Sequence, residues 1–218
     1  MVQKPSVEKN LVHMSKPTSN HLLQTWSKTI PRPHDLKIAN SDKQIAEYYE
    51  AGEPVIGITG GNVFTSLGGN TTLSYPATST VTSCSIDIGC VIAGDSSFYF
   101  ASSLLILNSF RPWASSGITN TQIVNGYRYA PNAHPGDGFM EEVESKLIMR
   151  QALIARKKIV SGDHLPHPQL RVRKGRTFTY DFFKAKRVIL DSKSIGRHQG
   201  FSVEVFPHAI QVIVGFSN

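Results

Sequence analysis

Three short stretches carry residue types that can do chemistry at close quarters. The first is Gly60-Gly61-Asn62, at the end of the β-branched run VIGIT, with Gly68-Gly69-Asn70 close behind. Glycine pairs after a buried strand let backbone N–H groups face a phosphate without a Cβ in the way. No Lys-Ser/Thr follows, as a Walker A loop requires, and G-x-G-x-x-G is absent. A plain pair of turns is the competing reading. The second stretch is APNAHPGDG, residues Ala130–Gly138, where Asp137 stands in a Pro-Gly-Asp-Gly turn sequence. The third is Asp191-Ser192-Lys193. It sets a carboxylate and a cation two residues apart.

Other candidates drop out. Cys84 and Cys90 are the only cysteines and have no His between them, which argues against a zinc site and against a disulfide scaffold. They read as two buried free thiols in a reducing, cytoplasmic setting. His164 and His167 read as packed or surface histidines rather than ligands. Charge is unevenly spread: residues 146–197 hold 14 of the 23 Lys and Arg but three acids, a local balance of +11 in a chain of +7. Such asymmetry points to an anionic partner, whether nucleotide, nucleic acid or membrane headgroups, with a solvated strand face as the bland alternative.

The elements that would position these residues fall into two patterns. Ile38, Ile45, Ala46 and Tyr49 recur at helical spacing, with Asp35 or Ser41 as cap and Gly52 as stop. VIGIT then reads as a buried parallel strand, and helix, strand, then glycines is the order that places a ligand site in open α/β sheets. Residues 71–85 read as a linker or edge segment, and 110–122 as irregular. Ile86–Gly89 and Phe98–Leu107 are strand-like, with Gly94-Asp95 as a hairpin turn. Met140–Val160 is expected to be helical, stopped by Ser161-Gly162. From Leu170 onward, short alternating runs predict a β-sandwich. No apolar run is long enough to span a bilayer. The expected fold is thus an α/β lobe with a glycine-rich nucleotide site plus a C-terminal β-sandwich lobe. The expected division is a leader at 1–33, the α/β lobe at 34–84 and the sandwich at 85–218.

A family comes into view in the second half. VNGYRYAPNAHPGDGFMEEV is followed about thirty residues later by HLPHPQLRVRKGR, then VILDSKSIG, then FSVEVFPHAIQVIV. This order resembles the diacylglycerol kinase and sphingosine kinase family of bacterial-type lipid kinases. Its members carry an APxAxxxDG segment, a helix, a His-containing strand entry and a DGE-type motif before a terminal hairpin. The resemblance covers 125–218, extends to 34–70 and is poor over 71–124, and the chain is shorter than a typical two-lobed member.

The resemblance implies transfer of the γ-phosphoryl of ATP, with Mg²⁺, to the hydroxyl of diacylglycerol or a sphingoid base. Gly60, Gly61 and Asn62 would approach the phosphates, helped by Gly68, Gly69 and Asn70. Asp137, with backbone carbonyls of His134 and Phe139, would hold a structural Mg²⁺. The chain also departs from the family. GGDGT has become Gly60-Gly61-Asn62-Val63-Phe64, and Lys193 stands where the general base belongs, leaving Asp191 as the retained carboxylate on a strand. A non-catalytic lipid- or nucleotide-binding relative is therefore the alternative. The basic segment suits peripheral binding to an anionic membrane, and a homodimer is left open. A less favoured reading is a basic β-sandwich that binds single-stranded nucleic acid through Arg171, Arg173, Lys174, Arg176, Phe178 and Tyr180.

Overall fold

The N-terminal part builds the parallel unit that its periodicity predicts. In the computed structural model, which describes residues 26–69, 80–108 and 115–214, strand β1 (Ser27–Pro31) leads to β2 (Ile38–Ala39) and helix α1 (Asp42–Glu50). Ile45 and Ala46 give α1 its buried face, and Ser41 takes the N-cap position with extended backbone. Gly52, at φ +80, ends the helix: its N–H donates to Tyr49 O and that of Glu53 to Tyr48 O, both at 3.0 Å. The chain returns as β3 (Val55–Ile58), parallel to β2, and turns into helix α2 (Gly61–Ser66).

The remainder is mostly β. Strands β4 (Thr80–Ala93) and β5 (Ser96–Phe100) form the expected hairpin about Gly94. There follow β6 (Ser103–Leu107), β7 (Ser116–Thr119), the ribbon of β8 (Ile123–Val124) with β9 (Tyr127–Arg128), and β10 (Met140–Ser145). Helix α3 (Met149–Lys158) precedes β11 (Leu170–Gly175), β12 (Thr177–Leu190) and β13 (Lys193–Val214). One large sheet runs β1-β4-β13-β12-β6-β7-β10-β11, with β5 on β4, β3 on β13 and β2 on β3. Its pairings are antiparallel except β2–β3 and β3–β13.

This single sheet serves two cores. Cys84, Ile86 and Ile88 of β4 and Ile210, Val212 and Val214 of β13 pack with Ile45, Val63 and Phe64 beneath α1 and α2. Val91 of β4 and Phe201, Val203 and Val205 of β13 join Leu104, Ile118, Met140 and Phe178 in the other. Alternate residues of a strand face opposite sides, so the two cores lie on opposite faces of the same two strands. The switch occurs at a bulge: Phe206 pairs with Ile88 and Ile210 with Ile86, so residues 207–209 stand opposite Asp87 alone. Buried Asp87 stabilises it, accepting the His208 N–H at 2.8 Å; Pro207 has no N–H to satisfy.

Several expectations are corrected. Residues 140–160 are not one helix: β10 is held between β7 and β11, and only 149–158 are helical, because cross-strand pairing overrides the local pattern. The closing hairpin is one long bulged strand, since Pro207 interrupts the ladder without reversing the chain. Strand β4 includes residues from Thr80 within the expected linker, and β7 lies within the segment read as irregular. An α/β lobe apart from a sandwich is not what the strands form: β3 lies on β13, and β4 runs unbroken through residues 84 and 85.

Candidate functional site

Two acids from distant parts of the chain meet at one cleft. Asp42 opens α1, and its carboxylate accepts the Asn62 N–H at 2.8 Å and the Val63 N–H at 2.9 Å. It thereby caps the neighbouring helix α2, whose first N–H groups have no partner of their own. The Gly60-Gly61 pair has a local reason. Gly61 sits at φ +98, where a Cβ would strike the Asp42 carboxylate, and a Cβ on Gly60 would meet the Asn40 carbonyl. Asp191 comes from the other side. With Ser192 it forms the two-residue turn between β12 and β13, at φ 42 and 71. The acid expected on a strand is thus on a turn, and its carboxylate reaches the β5–β6 connection. There it accepts N–H groups from Ala101 (2.7 Å), Ser102 (3.0 Å) and Ser103 (2.8 Å).

The two acids share one environment. Both are buried, and Asp42, Gly61, Asn62, Asn125, Asp191, Ser192 and the lysines Lys43 and Lys193 line an open cleft of about 560 Å³. Burial, and after it the nearby Asp42 charge, push the Asp191 carboxyl up to about 7 against the opposing pull of the three N–H donors. Burial also raises Asp42, against the N–H groups of Val63 and Asn62. A carboxyl poised near neutrality in a cleft is suited to accept or give a proton. Asn62 fixes the wall between the acids: its Nδ2 donates to Ser102 Oγ at 3.1 Å and its Oδ1 accepts the Asn125 N–H at 2.9 Å. Behind it, Ser102 Oγ pairs with Thr121 Oγ1, and buried Asn120 donates to the carbonyls of Asp87 and Ala101.

Asn62, Asp191 and Lys193 are therefore brought together, as are Gly60 and Gly61 beside them. Gly68 and Gly69 end α2, the Gly69 N–H donating to Phe64 O, and Asn70 lies outside the described residues. The APNAHPGDG loop stands elsewhere, tied to the bulge: Asp87 accepts the Gly138 N–H at 2.7 Å and donates its own N–H to Pro135 O. Asp137 accepts the Phe139 N–H through one oxygen and Lys174 Nζ, at 2.6 Å, through the other. His134 Nδ1 accepts the Gly136 N–H, and burial lowers its pKa. No group of three or more His, Cys, Asp or Glu able to hold a metal occurs among the described residues.

Asp42, Asp87 and Asn120 carried no signal in the sequence; an acid opening a helix is ordinary, and only its burial marks it. Of the residues read as a nucleic-acid surface, Phe178 is buried, Tyr180 donates to Glu142, Arg173 pairs with Glu142 and Lys174 with Asp137. Cys84 and Cys90 are free and buried, as expected.

No protein-family model matches the sequence, and no curated protein matches it. Solved structures do share its fold. A putative diacylglycerol kinase from Bacillus anthracis str. Sterne aligns with a TM-score of 0.60 at 11% identity, over 83% of this chain and 78% of its own. A second such structure from the same organism gives 0.55 at 11%, over 74% and 68%. A structure titled as diacylglycerol kinases of that strain gives 0.52 at 13%, over 74% and 67%. The likeness is one of fold.

Proposed function

We propose that this protein is a lipid-kinase-like phosphotransferase that moves the γ-phosphoryl group of ATP to a lipid hydroxyl of the diacylglycerol or sphingoid-base type. The observation that carries the reading is the convergence of Asp42, Asn62 and Asp191 on one cleft, in a chain that has the fold of diacylglycerol kinase structures. In this reading Asp191 accepts the hydroxyl proton, for which a carboxyl near 7 is suited. Lys43 and Lys193 supply cations to the nucleotide phosphates from the cleft walls.

Mg²⁺ suits the donor set, because a buried carboxylate that raises the proton affinity of a second one is relieved by a hard cation with oxygen ligands. Asp42 is the carboxylate that would hold it, which leaves Asp191 uncoordinated as the proton acceptor. When bound, it neutralises phosphate charge during transfer. The structural Mg²⁺ at Asp137 remains part of the proposal, but it would have to displace Lys174 Nζ from that carboxylate. An apolar cavity of about 580 Å³ between α3 and strands β6, β7 and β10 is the space that suits a lipid chain.

A second reading, a non-catalytic binder, has its own support. Asp42 already occupies the N–H groups of Asn62 and Val63 that phosphates would use, and Lys193 stands in place of a base. Radiolabelled ATP with vesicles or detergent micelles of diacylglycerol and sphingosine separates the two. Labelled lipid with the intact chain, at least tenfold above an Asp191→Asn control, supports transfer. No label above that control, with nucleotide binding retained, establishes the binder. Lys193→Glu is expected to raise activity if a base has been lost.

A further inference from the structure

No residue of α3 is buried. Met149, Ala152, Leu153, Ala155, Arg156 and Ile159 lie over the apolar cavity rather than in a packed core. Arg150, Leu153, Ile154, Lys157 and Lys158 form an i, i+3, i+4, i+7, i+8 stripe along its exposed side, with Leu153 at the rim of the cavity. All five are exposed, the two aliphatics by 60% and 54%. Ile148, Met149 and Val160 at the helix ends are also more than half exposed. From 145 to 162 the chain has five Lys and Arg and no acid. None of the four cations on α3 forms an ion pair with a described residue.

Water alone does not favour so many branched aliphatics beside unpaired cations on one short helix. Nucleic acid would match the cations but leave the aliphatics unused. A second copy meeting face to face would set like charges together. An anionic lipid surface accommodates both: cations at the headgroups, Leu153 and Ile154 below them.

We infer that α3 is an interfacial helix that docks this protein on anionic lipid leaflets. The inference gives the lipid reading above its place of action and rests on it for purpose, but its test needs no phosphoryl transfer. The full chain is sedimented with phosphatidylcholine vesicles, with and without phosphatidylglycerol, in the absence of ATP. Binding is expected to the anionic vesicles and to weaken as salt is raised. Lys157→Ser with Lys158→Ser should lower partitioning on the order of 30-fold, from the roughly fivefold worth of each surface cation. Ile154→Asp should lower it as well, with circular dichroism unchanged. A chain that ignores anionic lipid, or variants that bind like the wild type, would overturn the inference. So would an Ile154→Asp change that dissolves a dimer in ultracentrifugation while vesicle binding persists. Failure of docking with intact phosphorylation of detergent-dispersed lipid sinks the docking alone; docking by a chain that never transfers phosphate upholds it while sinking the kinase reading.

Discussion

Asp191 concentrates the chemistry at the residue scale. Its folded pKa of about 7 lies above the roughly 3.9 of an unfolded Asp, so the native state holds this proton more tightly. That stabilisation is fully present below about pH 4 and is lost as pH rises towards 7. Asp42 shifts in the same direction, while His134 and His164, lowered by burial, act the opposite way. The informative measurement is therefore a difference. Between pH 5 and pH 8, wild type should lose about 2–3 kcal/mol more stability than Asp191→Asn in urea unfolding. Parallel pH profiles for the two proteins would count against the elevated carboxyl. At pH 5 the Asn variant should itself be less stable by about 1–3 kcal/mol, because its amide turns a donor towards the N–H groups of residues 101–103.

At the scale of elements, α2 depends on a cap borrowed from α1. Asp42→Ala removes the acceptor for the Asn62 and Val63 N–H groups and should cost about 1–2 kcal/mol, read as a lower Tm. It should also let Asp191 titrate nearer the ordinary range, visible by carboxyl NMR, since Asp42 is its second-largest perturbation. Gly61→Ala sets a Cβ at φ +98 against that same carboxylate and should lower stability by more than about 1 kcal/mol. Gly52→Ala, also at positive φ but in open space, should lose no more than about 1 kcal/mol. A Gly61→Ala loss no larger than that of Gly52→Ala would contradict the close approach.

The whole molecule is organised by two strands that pass through both cores. Two lobes divided near residue 84 would unfold separately; β4 and β13 shared between cores predict one cooperative transition. Ile86→Ala in one core and Leu104→Ala in the other should each cost about 2–5 kcal/mol. Both should shift the same urea midpoint, whether followed by circular dichroism or by aromatic fluorescence. Two midpoints, each moved by only one substitution, would restore the two-lobe division. None of the helices among the described residues is long and apolar enough to cross a membrane.

Local order was legible in the sequence wherever neighbours in the chain decide the outcome. The apolar spacing of Ile45 and Ala46 with Gly52 defined α1, VIGIT defined β3, and Gly94 defined the β4–β5 turn. Asn62 and Asp191 were also legible as site candidates, through the glycines and the DSK triplet around them. Residues 140–145 were not, because Met140, Val143 and Leu147 also fit a helical spacing, and their place between β7 and β11 depends on strands remote in sequence. The same holds for the bulge that re-faces β13, which exists because Asp87 receives the His208 N–H across the sheet. The pairing of Asp42 with Asp191 was decided by tertiary structure alone. A helix start and a hairpin turn from opposite ends of the chain carry no mutual signal; folding places both carboxylates in one cleft, and that shared burial sets their chemistry.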